Sequence, residues 1–410
     1  MSSPPRRIYL DNAATSWPKP DRVYDAIDRY QRENGAAAGR GVSAEAGEVG
    51  RLVSGARSGV AALLGVRDSR RIVFAFNGTD ALNLAIHGTL AGGGHVVTTA
   101  AEHNSVLRPL RHLEEWDGFP TRHMKDTDRT DGLETRPTAV SVTRVGCGAD
   151  GIVNPDDVRR ALRPDTRLVS ITHASNVTGA IQPVAEIVKI AHERGALCLV
   201  DAAQTAGELA IDVEQLGVDL LAAPGHKGLL GPLGTGVLYI RPGVETQLQP
   251  MRQGGTGSHS ELDRQPESLP DRYESGNLNV PGIVGLGAGI AWLAERGIDN
   301  VRAHAIALTE RLLTGLRAIP GVRVYGPQAA ANRVGIVSMT LANFDPQEVA
   351  LALDTAYRVQ TRPGLHCAPL MHRALGTLEA GGTVRFSPGP FTATDDIETA
   401  IAAVAAFATV

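Results

Sequence analysis

Between about residue 70 and residue 240, short apolar runs rich in β-branched residues alternate with stretches whose apolar positions recur at helical spacing. The runs RIVFAF (71–76), HVVTTA (95–100), TAVSVTRV (138–145), TRLVSIT (166–172) and ALCLVD (196–201), with 220–223 and 236–240, predict strands. Helices are predicted between them at 80–90, 106–115, 156–163 and 184–193. Strands that are apolar on both faces and separated by helices predict a mostly parallel sheet covered on both sides. Asn154-Pro155 ahead of DDVRR is a helix start, with proline's fixed φ and acids in the first turn.

On either side of this block the pattern changes. Two helices are predicted ahead of it, at 21–33 and 44–64. The Gly-, Ser- and acid-rich segment 252–276 predicts a long functional loop. After Pro281 come long helices at 282–295 and 301–318, short strands at 322–325 and 335–340, and helices at 346–356 and 397–406. That is α+β in character. It predicts a large domain over 21–284 and a smaller one built from 1–20 and 285–410. Residues 121–136 are charged and unpatterned, and are expected to form an exposed excursion. The closely spaced glycines of GLGAG (285–289) fall inside a helical pattern rather than after a strand, so they lack the context of a nucleotide-binding turn.

Length and charge narrow the possibilities. A chain of 410 residues can bury a large core without metal or disulfide staples. The formal net charge of −4, with no block of like charge, argues against a nucleic-acid surface. Cys147, Cys198 and Cys367 are too few and too scattered for a disulfide framework or a thiolate zinc site, and suit a reducing compartment. The N-terminus lacks the apolar core of a secretory signal. The longest uncharged run, 275–294, carries Pro281 and five glycines, and predicts a buried helix rather than a membrane span. A soluble, cytoplasmic protein is expected.

Only four of the 40 basic residues are lysines, so any amine chemistry has four candidates. Lys19 lies between two prolines, Lys125 in a charge cluster and Lys189 on the polar side of a helix. All three are expected to be solvated cations. Lys227 differs. In LLAAPGHKGLLGPLGTG it is flanked by apolar residues and glycines, with no charged neighbour between Asp219 and Arg241 apart from His226. Burial there would lower its pKa and make the amine a nucleophile fit for a Schiff base with pyridoxal phosphate; a structural or anion-binding lysine is the alternative.

The other parts such a site requires can be sought in turn. Asp201 ends an apolar strand, where an acid could hold the proton of a pyridine nitrogen. Asn77-Gly78-Thr79-Asp80 joins a strand to a helix, a geometry that receives phosphate, though a plain capped turn has the same form. His103 follows another strand. Cys367, in TRPGLHCAPLMH, has Arg362 and His366 nearby, and cationic neighbours favour a thiolate. A metal site of His366, Cys367 and His372 lacks a fourth ligand and standard spacing. Arg385, between apolar residues near the chain end, is either a buried ion pair or a clamp for a carboxylate.

Taken together, the motifs IYLDNAATSWPKP, FNGTDALN, AEHNS, SNVTGAIQPV, LVDAAQTAG, GHKGLLGPLGTGVLYI, RPGLHCAPL and VRFSPG, in this order along nearly the whole chain, resemble the class V aminotransferase family of pyridoxal-phosphate enzymes. Within it they resemble the group II cysteine desulfurases and related selenocysteine lyases. The resemblance implies a type I fold: a large, mainly parallel seven-stranded sheet domain plus a smaller α+β domain. It implies that Lys227 carries the cofactor and shuttles the substrate's α-proton, with Asp201 at the pyridine nitrogen and Asn176 and Gln204 near the ring hydroxyl. His103 would stack on the ring and assist proton transfer. Gly78, Thr79 and His226 would hold the phosphate, joined by Thr256 from the second subunit of a homodimer. Arg385, with Arg362 beside the cysteine, would bind the carboxylate of L-cysteine or L-selenocysteine. Cys367 would take the sulfur and pass it to an acceptor protein or thiol. Two departures stand out. Pro224 occupies a position where the family commonly has a phosphate-binding hydroxyl, and the segment 36–46 is looser than the usual form, which often carries a histidine.

Overall fold

The structure is a computed structural model that describes residues 6–39, 41–115 and 139–409. A two-residue strand, β1 (Ile8–Tyr9), opens the chain, and seven longer strands follow after two helices. They are β2 (Ile72–Ala75), β3 (Gly94–Thr99), β4 (Val140–Val145), β5 (Thr166–Thr172), β6 (Leu197–Asp201), β7 (Leu220–Pro224) and β8 (Gly236–Ile240). These seven form one sheet in the order β2-β8-β7-β6-β5-β3-β4. Both β2 and β7 run antiparallel to β8, and the remaining pairs are parallel. β8 alone therefore runs against the rest, and β2, β3, β5, β6 and β7 all end at the same edge. All seven expected strands form. The excursion at 121–136, Lys125 and the first residue of the 138–145 strand lie outside the described residues.

The strands are apolar on both faces because both faces are covered. One buried cluster includes Val97, Val169, Cys198 and Leu221 with helix residues such as Val60 and Ile290. The other includes Val96, Leu168, Leu199 and Leu220 with Leu82 and Leu110. Helix Ala44–Leu63 lies against helix Val280–Arg296. The glycines of 285–289 serve that packing: a Cβ on Gly287 would stand 3.0 Å from Ala56 Cβ, and one on Gly289 2.7 Å from Leu229 O. The helix expected at 21–33 runs as an α-helix over Asp21–Arg29 and widens into a π-turn at Tyr30–Asn34 before Gly35 ends it with φ 67°.

The chain then builds a second sheet from β9 (Val322–Tyr325), β10 (Val337–Leu341), β12 (Arg362–Gly364) and β13 (Thr383–Phe386), while β11 (Val359–Gln360) pairs with β1. The second sheet is antiparallel, in the order β12-β13-β10-β9. Helices Ile298–Arg317, Pro346–Tyr357 and Thr394–Ala408 supply Leu308, Leu312, Leu353 and Val404 to a core shared with Ile8 and Leu10. The β1–β11 pair and strands β12 and β13 are too short to register as an alternating pattern. They are also where the sequence turns polar, beside the site described below.

β2 is an edge strand, and its outward groups are covered by a buried ion pair. Glu274 accepts from Phe74 N–H at 2.6 Å, Arg57 donates to Ile72 O, and the two side chains pair through Nη1–Oε1 at 2.6 Å and Nη2–Oε2 at 2.8 Å. The pair ties helix Ala44–Leu63 and the end of the 252–276 segment to the sheet. Replacing Arg57 by Met should lower stability by about 3 kcal/mol, because Glu274 would be left charged and buried. Arg22→Met, at the exposed Arg22–Glu295 pair, should leave the transition where it is. Urea denaturation of both variants checks the contrast.

Candidate active site

The edge where every strand but β8 ends is also where the titratable residues gather. Asp201 is the last residue of β6. Thr172, which ends β5, is its register partner. Asn77 and Gly78 follow β2, Glu102 and His103 follow β3, and Pro224 ends β7, three residues before Lys227. Across from this edge stand Arg362 and Arg385, which are cross-strand partners on β12 and β13. Between the two walls lies a cavity that is partly open to solvent. Its lining includes Gly78, Thr79, His103, Asn176, Asp201, Gln204, His226, Lys227, Arg362 and Arg385.

Lys227 is the central cation. Burial pulls its pKa from 10.5 down to about 8, while Asp201 pulls the other way. Among the described residues its amine makes no hydrogen bond. The loop that carries it passes within touching distance of residues 206–207. A Cβ on Gly207 would lie 2.2 Å from Gly228 O, and one on Gly228 2.4 Å from Ala206 O, so only glycines allow the crossing. Asp201 is buried, and burial raises its pKa against the lowering pull of the Ala203 N–H (2.9 Å) and Lys227.

His103 is neutral: burial first, then Lys227 and the nearby arginines, push its pKa down to about 4. Its Nδ1 accepts the Ser105 N–H at 3.0 Å, which leaves the proton on Nε2. Two helix N-termini meet beside it, those of Gly78–Thr89 and Asn104–Glu115. Thr79 Oγ1 and Ser105 Oγ stand 2.8 Å apart, one from each helix, and both residues line the cavity. His226, neutral because burial lowers its pKa to about 4, has a buried Nδ1 with no partner among the described residues. Two helix dipoles, two hydroxyls and an unpaired imidazole nitrogen form a cradle suited to a phosphate dianion. Pro224 does line the cavity, packed on Gly78, where a Cβ would meet Pro224 Cδ at 3.0 Å. Ser105 supplies a hydroxyl nearby. The reading of the sequence passed over it, although its place in AEHNS at a helix start is the signal that marks it.

Several expected residues carry commitments that the sequence does not show. Asn176 donates from Nδ2 to His366 O at 2.6 Å, and Gln204 from Nε2 to Ala13 O at 3.2 Å. Arg385 is ion-paired to Asp11 (2.7 Å) and donates to Asn176 O (3.0 Å), while its buried Nε has no partner. A carboxylate entering here meets Nε or displaces Asp11. Thr256 is not brought to the cavity of its own chain. Its hydroxyl bonds to Ser258 O and pairs with Ser258 Oγ, both at 3.1 Å.

Cys367 is not among the residues that line the cavity, whereas Arg362 and His366 are, and its side chain is partly exposed. His366 and Cys367 are both left-handed, at φ 49° and 58°, an arrangement side chains resist. Their carbonyls are pinned, His366 O by Asn176 and Cys367 O by Asn104 N–H at 2.7 Å. Below them, His366 Nε2 donates to Arg362 O at 3.0 Å. Its Nδ1 therefore accepts from His372 Nε2 at 3.3 Å, and His372 Nδ1 accepts from Thr377 at 2.8 Å. The two imidazoles hydrogen-bond to each other, an arrangement that spends the nitrogens a metal would need. Cys198 is inert in the core, its pKa pushed far up by burial, and Cys147 is raised to about 11.

Lys19 is not the solvated cation that its sequence surroundings predict. It is half-buried, its pKa is lowered by burial to about 8, and its Nζ donates to Ser16 O, Ser16 Oγ and His226 O. Lys189, as expected, is exposed.

The model of the family described as aminotransferase class-V matches residues 8–133 and 131–399. The chain belongs to the class-V aminotransferase family. A probable cysteine desulfurase of Methanothermobacter thermautotrophicus is 36% identical over 396 residues, covering 95% of this chain and 92% of its own. A cysteine desulfurase of Enterobacter is 33% identical over 371 residues, covering 88% and 85%. Among solved structures, the apo cysteine desulfurase from Thermococcus onnurineus superposes with a TM-score of 0.87 at 30% identity, covering 98% of this chain and 95% of that one. The Escherichia coli cysteine desulfurase CsdA gives 0.82 at 26%, covering 98% and 94%. The expected type I fold, with its large, mainly parallel seven-stranded sheet, is the one these class-V structures share.

Glu102, the acid next to His103, has no role assigned from the sequence. Oε1 accepts from Thr99 Oγ1 (2.7 Å) and Thr172 N–H (3.0 Å), while Oε2 is buried without a partner. Burial raises its pKa from 4.5 to about 8, with the Asp201 charge adding to the rise. The folded chain therefore holds this proton more tightly than the unfolded chain. The resulting stability is fully present below pH 4.5 and is lost as the pH rises toward 8. Glu102→Gln removes that loss. Compared in urea at pH 5 and pH 8, the variant should gain at least about 2 kcal/mol on the wild type at the higher pH.

Proposed function

We propose that this chain is a pyridoxal-phosphate-dependent cysteine desulfurase, an enzyme that converts L-cysteine to L-alanine and takes the sulfur onto Cys367 as a persulfide. The observation that carries the reading is the pairing of an unbonded, depressed lysine amine with a buried aspartate on the adjacent strand, above a phosphate cradle. The relatives that bear the name cysteine desulfurase over most of this chain's length support it.

The residues fit the cofactor part by part. Lys227 is the amine that would hold it, and Asp201 the carboxylate for its ring nitrogen. His226 Nδ1, orphaned in a buried position, would gain a phosphate oxygen as its partner, beside Gly78, Thr79 and Ser105. When bound, pyridoxal phosphate supplies electron withdrawal at the substrate's α-carbon.

Each protein group then has a defined task. Arg385 and Arg362, facing one another across two strands, receive the substrate carboxylate. Near pH 8 the Lys227 amine can both take and return a proton, and it removes the one on the α-carbon. Neutral His103 presents a single N–H and adds no charge. The Cys367 thiolate attacks the substrate sulfur: an S–S bond forms, the Cβ–S bond breaks, and its electron pair stays with the carbon. That carbon takes up a proton, the Lys227 amine returns one to the α-carbon, and the product leaves as alanine. Held on a short pinned loop, the persulfide passes to an acceptor protein or thiol that approaches it. The proposal includes a homodimer, in which Thr256 reaches the phosphate of the other subunit, and a cytoplasmic location.

Selenocysteine is the second substrate reading. It is favoured by the absence of Cys367 from the cavity lining, because cleavage of the weaker C–Se bond leans less on a protein thiolate.

The test uses the purified protein with added pyridoxal phosphate. Lys227→Ala should lose the cofactor's absorbance. Cys367→Ala should keep that absorbance while alanine formation from cysteine falls by at least about a thousandfold, the scale of losing a nucleophile. Undiminished alanine formation in Cys367→Ala would rule out the persulfide route, and activity confined to selenocysteine would select the second reading.

A further inference from the structure

The carbonyl oxygen of His226, the residue just before Lys227, is an unusually crowded acceptor. Ser16 N–H reaches it at 3.0 Å, Ser16 Oγ at 3.1 Å, Thr15 Oγ1 at 3.2 Å and Lys19 Nζ at 3.1 Å. All four donors come from one short stretch, Thr15 to Lys19, which crosses over the start of the lysine loop. Lys19 holds that stretch to itself as well, donating to Ser16 O at 2.9 Å and Ser16 Oγ at 2.7 Å. Its three ammonium protons thus have three acceptors. Among the described residues no carboxylate lies within ion-pairing distance of it. A half-buried ammonium without a counter-ion is an expensive group to keep, and a neutral side chain could fill the space more cheaply. What a neutral apolar chain could not do is anchor the carbonyl of His226 and cap the Ser16 hydroxyl at once.

We infer that Lys19 is a positioning residue for Lys227: through the His226 carbonyl, its ammonium fastens the lysine loop to the N-terminal segment and keeps the Lys227 amine out of water. The inference deepens the proposed function and takes from it the importance of Lys227, but the hydrogen bonds it rests on do not require the cofactor. The same segment places Asp11 on Arg385 and the Ala13 carbonyl on Gln204, so fastening it at Lys19 also steadies two other residues of the cavity wall. The charge has a second effect. Burial already holds the His226 imidazole neutral, and the charges of Lys227 and then Lys19 lower its pKa further.

The full-length chain is reacted with an amine-acylating reagent across a range of pH, and labelling is read at each lysine by peptide mass spectrometry, with and without added pyridoxal phosphate. Without the cofactor, wild-type Lys227 should label with a midpoint near pH 8. In Lys19→Met the midpoint should rise by about one unit toward the ordinary lysine value, since a loosened loop lets water reach the amine and so favours its protonated form. Lys19→Arg, which keeps charge and donors, should recover most of the shift, and Lys189→Met should cause none. With pyridoxal phosphate present, Lys19→Met should lose bound cofactor on dialysis about tenfold faster than the wild type, the scale of one charged hydrogen bond. A cooperatively folded Lys19→Met with an unmoved Lys227 midpoint would overturn the inference, as would a loss of thermal stability without that shift. If Lys19→Met does not fold, Lys19→Gln is judged by the same midpoint. A chain that binds no pyridoxal phosphate yet shows the shift would sink the proposed function and leave the role of Lys19 standing.

Discussion

A lysine amine can lose its proton near neutral pH only where water is kept away, and the architecture of this protein can be traced to that requirement. Lys227 follows a strand that is buried on both faces, at an edge where five other strands also end. The sheet cannot close over that edge itself, because strand ends expose backbone groups and side chains to whatever lies beyond them. The second sheet supplies the missing wall, and it does so with arginines. Their charges would repel one another across β12 and β13 were Asp11 not set beside Arg385. The same exclusion of water leaves Glu102, His103 and His226 uncharged near neutral pH. The cavity thus holds a few fixed charges among neutral groups that can donate or accept, a setting in which small displacements of charge are strongly felt.

The N-terminal segment is what makes two sheets into one site. It pairs with β11, accepts from Gln204, holds Arg385 and covers the carbonyl before Lys227. Few of these contacts involve apolar surface. They are polar contacts that replace bonds to water in the unfolded chain, so their contribution lies less in net stability than in fixing which arrangement is adopted.

The large sheet was legible in the sequence because its strands are long, apolar on both faces and separated by amphipathic helices, the case in which hydrophobic pattern is most informative. Lys227 and Asp201 could be picked out because a charged residue in an apolar strand end is conspicuous. The small strands near Arg362 and Arg385 were not legible, being three and four residues long. Nor was Lys19, whose prolines suggested an extended, solvated segment. Prolines do fix an extended path, but whether such a path runs through water or across another loop is settled by residues two hundred positions away. Ser105 and Glu102 escaped for a related reason. Each is ordinary in its own neighbourhood, and only the meeting of several strand ends gives it partners.

The ion pair between Asp11 and Arg385 joins residues 374 positions apart. A growing chain can therefore lay down five parallel strands, bury much of their apolar surface and still have no closed cavity until almost its last segment has been made. β2 must likewise wait at the sheet's rim for β8. Such long-range closures are slow, because loop-closure entropy is lost before the contacts that offset it can form. In a cell, the scaffold would thus precede the chemistry: a reactive amine forms only in chains that have been finished, and a truncated chain carries the sheet but not the hazard of an activated lysine.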